Sequence, residues 1–228
     1  MAQTSVSFNG YNTSDQAFLY VQDLAPSYID FLWNNYTLFQ GIIGLGFDAL
    51  SRINQAAANQ TNDTWGRSLI SNIFQSNPSL PKHIAFFLDR TSERNNSLTG
   101  LFDIGTYAAG YEHVSESPKI PIHSPYEDIV DYWNVLVNKV TVGGKPVELQ
   151  SKVTNVTHVP PVGSVSAALD TGTSFAAVYL NVWHAIYKSI GGVLTSDNST
   201  YLVPCLAETN VEVTIGYVCI CLNFLLCI

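Results

Sequence analysis

The chain is 228 residues long, 46% hydrophobic and 12% charged, and it carries a net charge of −8. With 12 Tyr and 11 Phe it holds enough apolar material for one large domain or two small lobes, which argues against a disordered chain. The acidic balance argues against nucleic acid and anionic membrane surfaces as partners, because both require a basic face. In chain order, residues 3–23 alternate loosely between aromatic or β-branched and polar positions, which predicts strands with a turn near Asn9-Gly10. "FQGIIGLGFDAL" (39–50) reads as an apolar strand followed by glycines. In "TWGRSLISNIFQSN" (64–77) apolar residues fall at 65, 69, 70, 73 and 74, a helical spacing stopped by Pro78. "HIAFFLDR" (83–90) predicts a buried strand, "SERNNSLTG" a polar loop and "GLFDIGTY" (100–107) another strand. "YWNVLVNKVTVGGKPVEL" (132–149) predicts a hairpin turning at Gly143-Gly144. "SVSAALD" reads as a strand ending at Asp170, and "VYLNVWHAIYKSIGG" (178–192) as a helix stopped by glycines. Many strands and few helices predict a mainly β protein.

The first residues, "MAQTSVSFNG", lack the basic and apolar regions of a secretory signal. Seven Asn-x-Ser/Thr acceptors nevertheless occur, at Asn12, Asn35, Asn59, Asn62, Asn95, Asn155 and Asn198. They predict a parent protein of the secretory pathway or the extracellular space, with this chain beginning inside it, and they predict exposed loops at most of these sites. Cys205 stands apart, while Cys219, Cys221 and Cys227 crowd the end. Disulfides in an oxidising compartment are open to them. Cys219-x-Cys221 lacks a second ligand pair at metal-site spacing, so no metal is expected. The tail "VTIGYVCICLNFLLCI" (213–228) carries no charge. It is too short for a membrane anchor. A buried strand pair and a translated intron or frameshift are the alternatives, and the abrupt change of composition favours the latter.

Among motifs, Gly44-Leu45-Gly46-Phe47-Asp48-Ala49 has the glycine spacing of a dinucleotide site, but a βαβ unit is not predicted around it. A G-x-S-x-G elbow is absent, and the five histidines show no paired spacing. "SAALDTGTSFA" (166–176) is the most informative stretch. Asp170, followed by Thr171, Gly172, Thr173 and Ser174, reads as a tight, hydrogen-bonded turn at a strand end. Its carboxylate is either structural or one half of a pair sharing a proton.

"QGIIGLGF", "IAFFLDR", "GLFDIGTY", "YWNVLVNKVTVGGKPV" and "AALDTGTSFAAV" resemble, in order and rough spacing, segments of the pepsin-like aspartic proteases, most of all secreted fungal members. The resemblance covers about residues 5–214. It implies two similar β-rich lobes, each supplying one Asp-Thr-Gly loop, whose paired aspartates activate a water without a cofactor or metal. Asp170 matches the catalytic aspartate of the second lobe. Gly172 and Thr173 match positions lining the substrate cleft, and Tyr132 resembles an aromatic at the edge of a substrate pocket. Thr171 and Ser174 complete the loop. Ile42-Ile43-Gly44 resembles the segment supporting the first-lobe loop, which is expected upstream of residue 1 together with the flap. The corresponding partner of Asp170 is expected beyond residue 214. Cys205 resembles the first member of a second-lobe disulfide, with Cys219, Cys221 and Cys227 as substitutes for its partner.

The resemblance thus implies a partial bilobal fold. Residues 1–88 are expected to be a first-lobe remnant, 89–125 an interlobe sheet region, and 126–228 a partial second lobe with an aberrant tail from about 215. The implied parent is a monomeric endopeptidase cutting peptides or proteins at acid pH, with no nucleic-acid or membrane partner. Residues 1–228 hold one Asp-Thr-Gly, so little activity is expected of them alone. A non-catalytic binding protein on the same scaffold and a homodimeric protease are the alternatives.

Overall fold

The computed structural model describes residues 1–20, 43–61, 66–88, 100–127, 130, 132–173 and 176–225. The chain divides into two compact units, Met1–Ser117 and Pro118–Ile228. Every strand ladder among the described residues is antiparallel, so the glycine spacing at Gly44 sits in no βαβ unit.

The first unit opens on a hairpin of β1 (Ala2–Phe8) and β2 (Tyr11–Phe18). Asn9 and Gly10 have φ of 48° and 80°, the two positive angles that a two-residue turn of the primed type needs. A bulge follows, where Ser14 and Asp15 of β2 face Ser5 alone; Asp15 takes φ of 54°. From Ile43 the chain runs without strand pairing into a 3-10 turn, Asp48–Leu50. The strand expected over 39–50 is therefore not found in its described part; residues 39–42 lie outside the described residues.

Helix α1 (Arg52–Thr61) was not expected from its Asn- and Gln-rich sequence. Its start is capped by Ser51, whose Oγ accepts the Asn54 amide at 3.1 Å, and Ala57 on its inner side is fully buried. Helix α2 (Leu69–Ser76) begins at the N-cap Ser68 rather than at residue 64 and ends before Pro78 as expected. It docks on β2 through Gln16, which accepts from Asn72 Nδ2 at 2.9 Å and donates to the Arg67 carbonyl at 3.1 Å. Ile73 of α2 is fully buried. β3 (Ile84–Phe87) pairs with β4 (Leu101–Ile104). The expectation that 83–90 is buried is corrected: Phe86, Phe87 and Leu88 are exposed. Among the described residues the ladder is two-stranded, and Phe86 packs on its cross-strand neighbour Phe102 at 4.8 Å between ring centroids.

Among the described residues, the second unit is built on a five-stranded sheet. β5 (Asn134–Val142) lies at its centre. β6 (Lys145–Val147) returns from β5 through Gly143 and Gly144, with φ of 55° and 74°. β7 (Val165–Ala168) pairs with residues 134–137 of β5. α3 (Leu180–Ser189) lies against the sheet, and its end is closed by two glycines. Gly191 has φ of 76° and its amide donates to the Lys188 carbonyl, while the Gly192 amide donates to Tyr187, the glycine-terminated helix end in which free carbonyls are satisfied. A short hairpin, β8 (Val193–Leu194) and β9 (Tyr201–Leu202), follows. β10 (Glu208–Ile215) then pairs with the other edge of β5, and β11 (Val218–Leu225) pairs with β10 along eight residues. The core gathers Val135, Val137, Val140 and Val142 of β5, Val165, Val211, Ile215 and Val182 of α3. The tail is thus a strand of the sheet, but its side chains at 218–222 are exposed rather than buried.

Candidate active site

β7 begins in the core at Val165 and emerges into solvent at Ala168. Burial falls step by step along it, from Val165 through half-buried Ser166 and Ala167 to exposed Ala168, so the strand leaves the core just before the acid. The Leu169 amide donates to the Trp133 carbonyl at 2.9 Å, extending the pairing in which Ala168 faces Asn134. The next step of that register sets Tyr132 across from Asp170. Tyr132 is 54% exposed, and Asp170, Thr171, Gly172 and Thr173 are all exposed.

Asp170 then turns the chain with its own side chain. Its Oδ1 accepts the Gly172 amide at 2.8 Å, the Asx turn that a short acid two residues before a free amide makes. A Cβ on residue 172 would lie 3.2 Å from that oxygen, so glycine is what lets the backbone come so close. The strand end, the Asx turn and the following glycine together hold one carboxylate in a defined position, open to solvent.

Residues 1–223 match a family model described as eukaryotic aspartyl protease. The chain belongs to that family. Its members are aspartic-type peptidases, hydrolases acting on peptides or proteins. The match extends beyond residue 214 into β11, the segment set apart by composition. No curated protein matches the chain.

The other expected site residues are placed as follows. Ile43 and Gly44 lie in the first unit and are exposed. Among the described residues, a Cβ at Gly44 would meet no atom within 4 Å. Ile42 and Ser174 lie outside the described residues. Of the glycosylation candidates, Asn12, Asn59, Asn155 and Asn198 are exposed, while Asn35, Asn62 and Asn95 lie outside the described residues. Asn12 sits in β2 and Asn59 in α1 rather than in loops. Asn198 occupies the left-handed region, with φ of 57°, between β8 and β9. Cys205, Cys219 and Cys221 are exposed free thiols, and Cys227 lies outside the described residues. Among the described residues no three His, Cys, Asp or Glu side chains gather as metal ligands, and no helix is long and apolar enough to cross a membrane.

Sequence reasoning missed one acid of unusual character. Asp197 accepts hydrogen bonds from Thr195 Oγ1 at 2.6 Å and from the Ser199 hydroxyl and amide. These bonds favour the ionised form, that of Thr195 most, and draw its pKa down from 3.8 to about 2. The signal lay in "TSDNST", an acid among hydroxyl residues. It closes the β8–β9 turn and lies apart in sequence from Asp170.

Proposed function

We propose that Asp170 is one of the two carboxylates with which this endopeptidase hydrolyses peptide bonds at acid pH, and that residues 1–228 on their own have little activity. The observation that carries the reading is the placement of Asp170 at an exposed strand end, held by the Gly172 amide and level with Tyr132. Two carboxylates brought close together do not ionise together, so one serves as base and the other as acid. The ionised member takes a proton from water as its oxygen attacks the peptide carbonyl carbon. The protonated member donates to the carbonyl oxygen, and a proton passes to the amide nitrogen as the C–N bond breaks. Residues 1–228 contain one Asp-Thr-Gly, which fills one of these two roles.

In the same reading Gly172, Thr173 and Tyr132 contact the bound peptide, Thr171 and Ser174 shape the loop, and Ile42-Ile43-Gly44 supports the loop that carries the second aspartate. Cys205, an exposed free thiol among the described residues, is the candidate for one half of a disulfide. Members of the family are generally secreted or lysosomal, and the exposed Asn12, Asn59, Asn155 and Asn198 side chains support a glycosylated, secreted protein.

An acid-pH peptidase assay of residues 1–228, with and without the aspartic-protease inhibitor pepstatin, tests the inactivity. The expected result is no pepstatin-sensitive cleavage. Robust cleavage abolished by Asp170→Asn contradicts it and transfers the reading to a homodimer in which two copies of Asp170 meet.

A further inference from the structure

β10 and β11 are joined by Gly216-Tyr217, with Gly216 at φ of 58°, a two-residue turn with glycine at its first central position. From that turn the register runs without a break: Ile215 faces Val218, Val213 faces Ile220 and Val211 faces Leu222. These residues continue the apolar face of Val140 and Val142 on β5. On β5 and β10 that face forms the core. On β11 it is uncovered, with Val218, Ile220 and Leu222 at 37%, 42% and 36% exposure.

The residue pair that closes a two-residue hairpin is hydrogen-bonded, and bonding alternates from there. Val218, Ile220 and Leu222 therefore turn their backbone groups to β10, and Cys219 and Cys221 turn theirs to the outer edge. Among the described residues no strand pairs with that edge. "VCICLNFL" has no charge and no proline, the features that ordinarily protect a sheet edge.

We propose that the outer edge of β11 pairs antiparallel with β11 of a second copy of this chain, about a two-fold axis at Ile220. The register argues for a second copy over a foreign strand. An axis at Ile220 sets Ile220 opposite its own counterpart, Val218 opposite the second copy's Leu222, and Cys219 opposite the second copy's Cys221. Moving the axis to residue 219 or 221 breaks these pairings. No charge meets a like charge, and the same patch serves both copies, as a two-fold interface requires. At such an outward, hydrogen-bonded position the Cα atoms lie about 5.5 Å apart, inside the disulfide range. Glutathione disulfide can then take two electrons and two protons from Cys219 and the second copy's Cys221, giving the interchain S–S bond and two glutathiones. The inference does not rest on the role of Asp170, and it departs from the monomer that the family resemblance implies.

The test uses the full chain with Cys205→Ser and Cys227→Ser, and two variants of it, Cys219→Ser and Cys221→Ser. The Cys221 thiol is held above its usual range chiefly by neighbouring Cys219, so oxidation is run at mildly alkaline pH. Like thiols in single variants stand diagonally, about 7–8 Å apart, beyond reach of a disulfide. A covalent dimer on non-reducing gels is expected from the parent chain and from the mixed variants, and from neither variant alone. In sedimentation velocity under reducing conditions the chain is expected to run as a dimer, and Ile220→Lys as a monomer with unchanged circular dichroism. A monomeric parent chain, open-ended polymers, a dimer that survives Ile220→Lys, or single variants that cross-link as well as their mixture would each overturn the proposal. If Ile220→Lys does not fold, the mixing experiment decides by itself.

Discussion

Gly172 lies against the carboxylate it helps to hold. A methyl group there would stand 3.2 Å from Asp170 Oδ1, so the carboxylate must give by a few tenths of an ångström. Because an ångström of misplacement costs about a hundredfold in rate, Gly172→Ala should lower kcat about tenfold once residues 1–228 are joined to a segment bearing a second Asp-Thr-Gly loop. The melting temperature should change little, since the site is exposed. An unchanged kcat would show that the position of Oδ1 does not matter to the chemistry. Asp197 offers a second test at this scale. Its folded pKa, about 2, lies below the ordinary carboxylate value of 3.8. Its contribution to the β8–β9 turn is therefore complete above the ordinary value and is lost as pH falls through about 2. Titration of its side-chain carbonyl by NMR should show a midpoint near 2 that rises in Thr195→Val; a midpoint at the ordinary value would contradict the hydrogen-bonding account. The Asp170 turn was legible in sequence because a short acid followed by glycine turns the chain by local chemistry. That Tyr132 and Asp170 come level was not, because it follows from the pairing of β5 with β7, which brings together residues 38 positions apart.

At the scale of elements, the turns were the legible part. Asn9-Gly10 and Gly143-Gly144 need positive φ, which those residue types adopt most readily. α1 was missed because its core contact uses Ala57, a small residue among amides; the signal available was Ser51 three residues before Asn54. Removing that cap with Ser51→Ala should cost about 1 kcal/mol, and Ile73→Ala about 2–5 kcal/mol, both measured by denaturant unfolding. A loss below 1 kcal/mol at Ile73 would contradict its burial. The exposure of β3 and of the tail, which a buried strand pair was one way to read, was not legible for the same reason: burial depends on which strands lie alongside, and the β3–β4 ladder, two-stranded among the described residues, leaves Phe86 and Phe87 open.

For the whole molecule, the two units each have their own ladders, and both carry exposed apolar side chains on strands: Phe86 and Phe87 in one, Val218, Ile220 and Leu222 in the other. Chains with such surfaces bind hydrophobic dyes and associate. Residues 1–228 should bind anilinonaphthalene sulfonate strongly at neutral pH, and weak binding would mean that these surfaces are covered in solution. The family was legible across both units because five segments kept their order, and the family match over residues 1–223 agrees with that reading. The central claim is that Asp170 works as one member of a catalytic pair. It is tested most directly by joining residues 1–228 to a segment bearing a second Asp-Thr-Gly loop and comparing acid-pH peptide hydrolysis with and without Asp170→Asn. Asparagine keeps the oxygen that accepts the Gly172 amide but cannot serve as base, so the fold should persist while the rate falls by about 10²–10⁴-fold. Hydrolysis that survives Asp170→Asn would contradict the account.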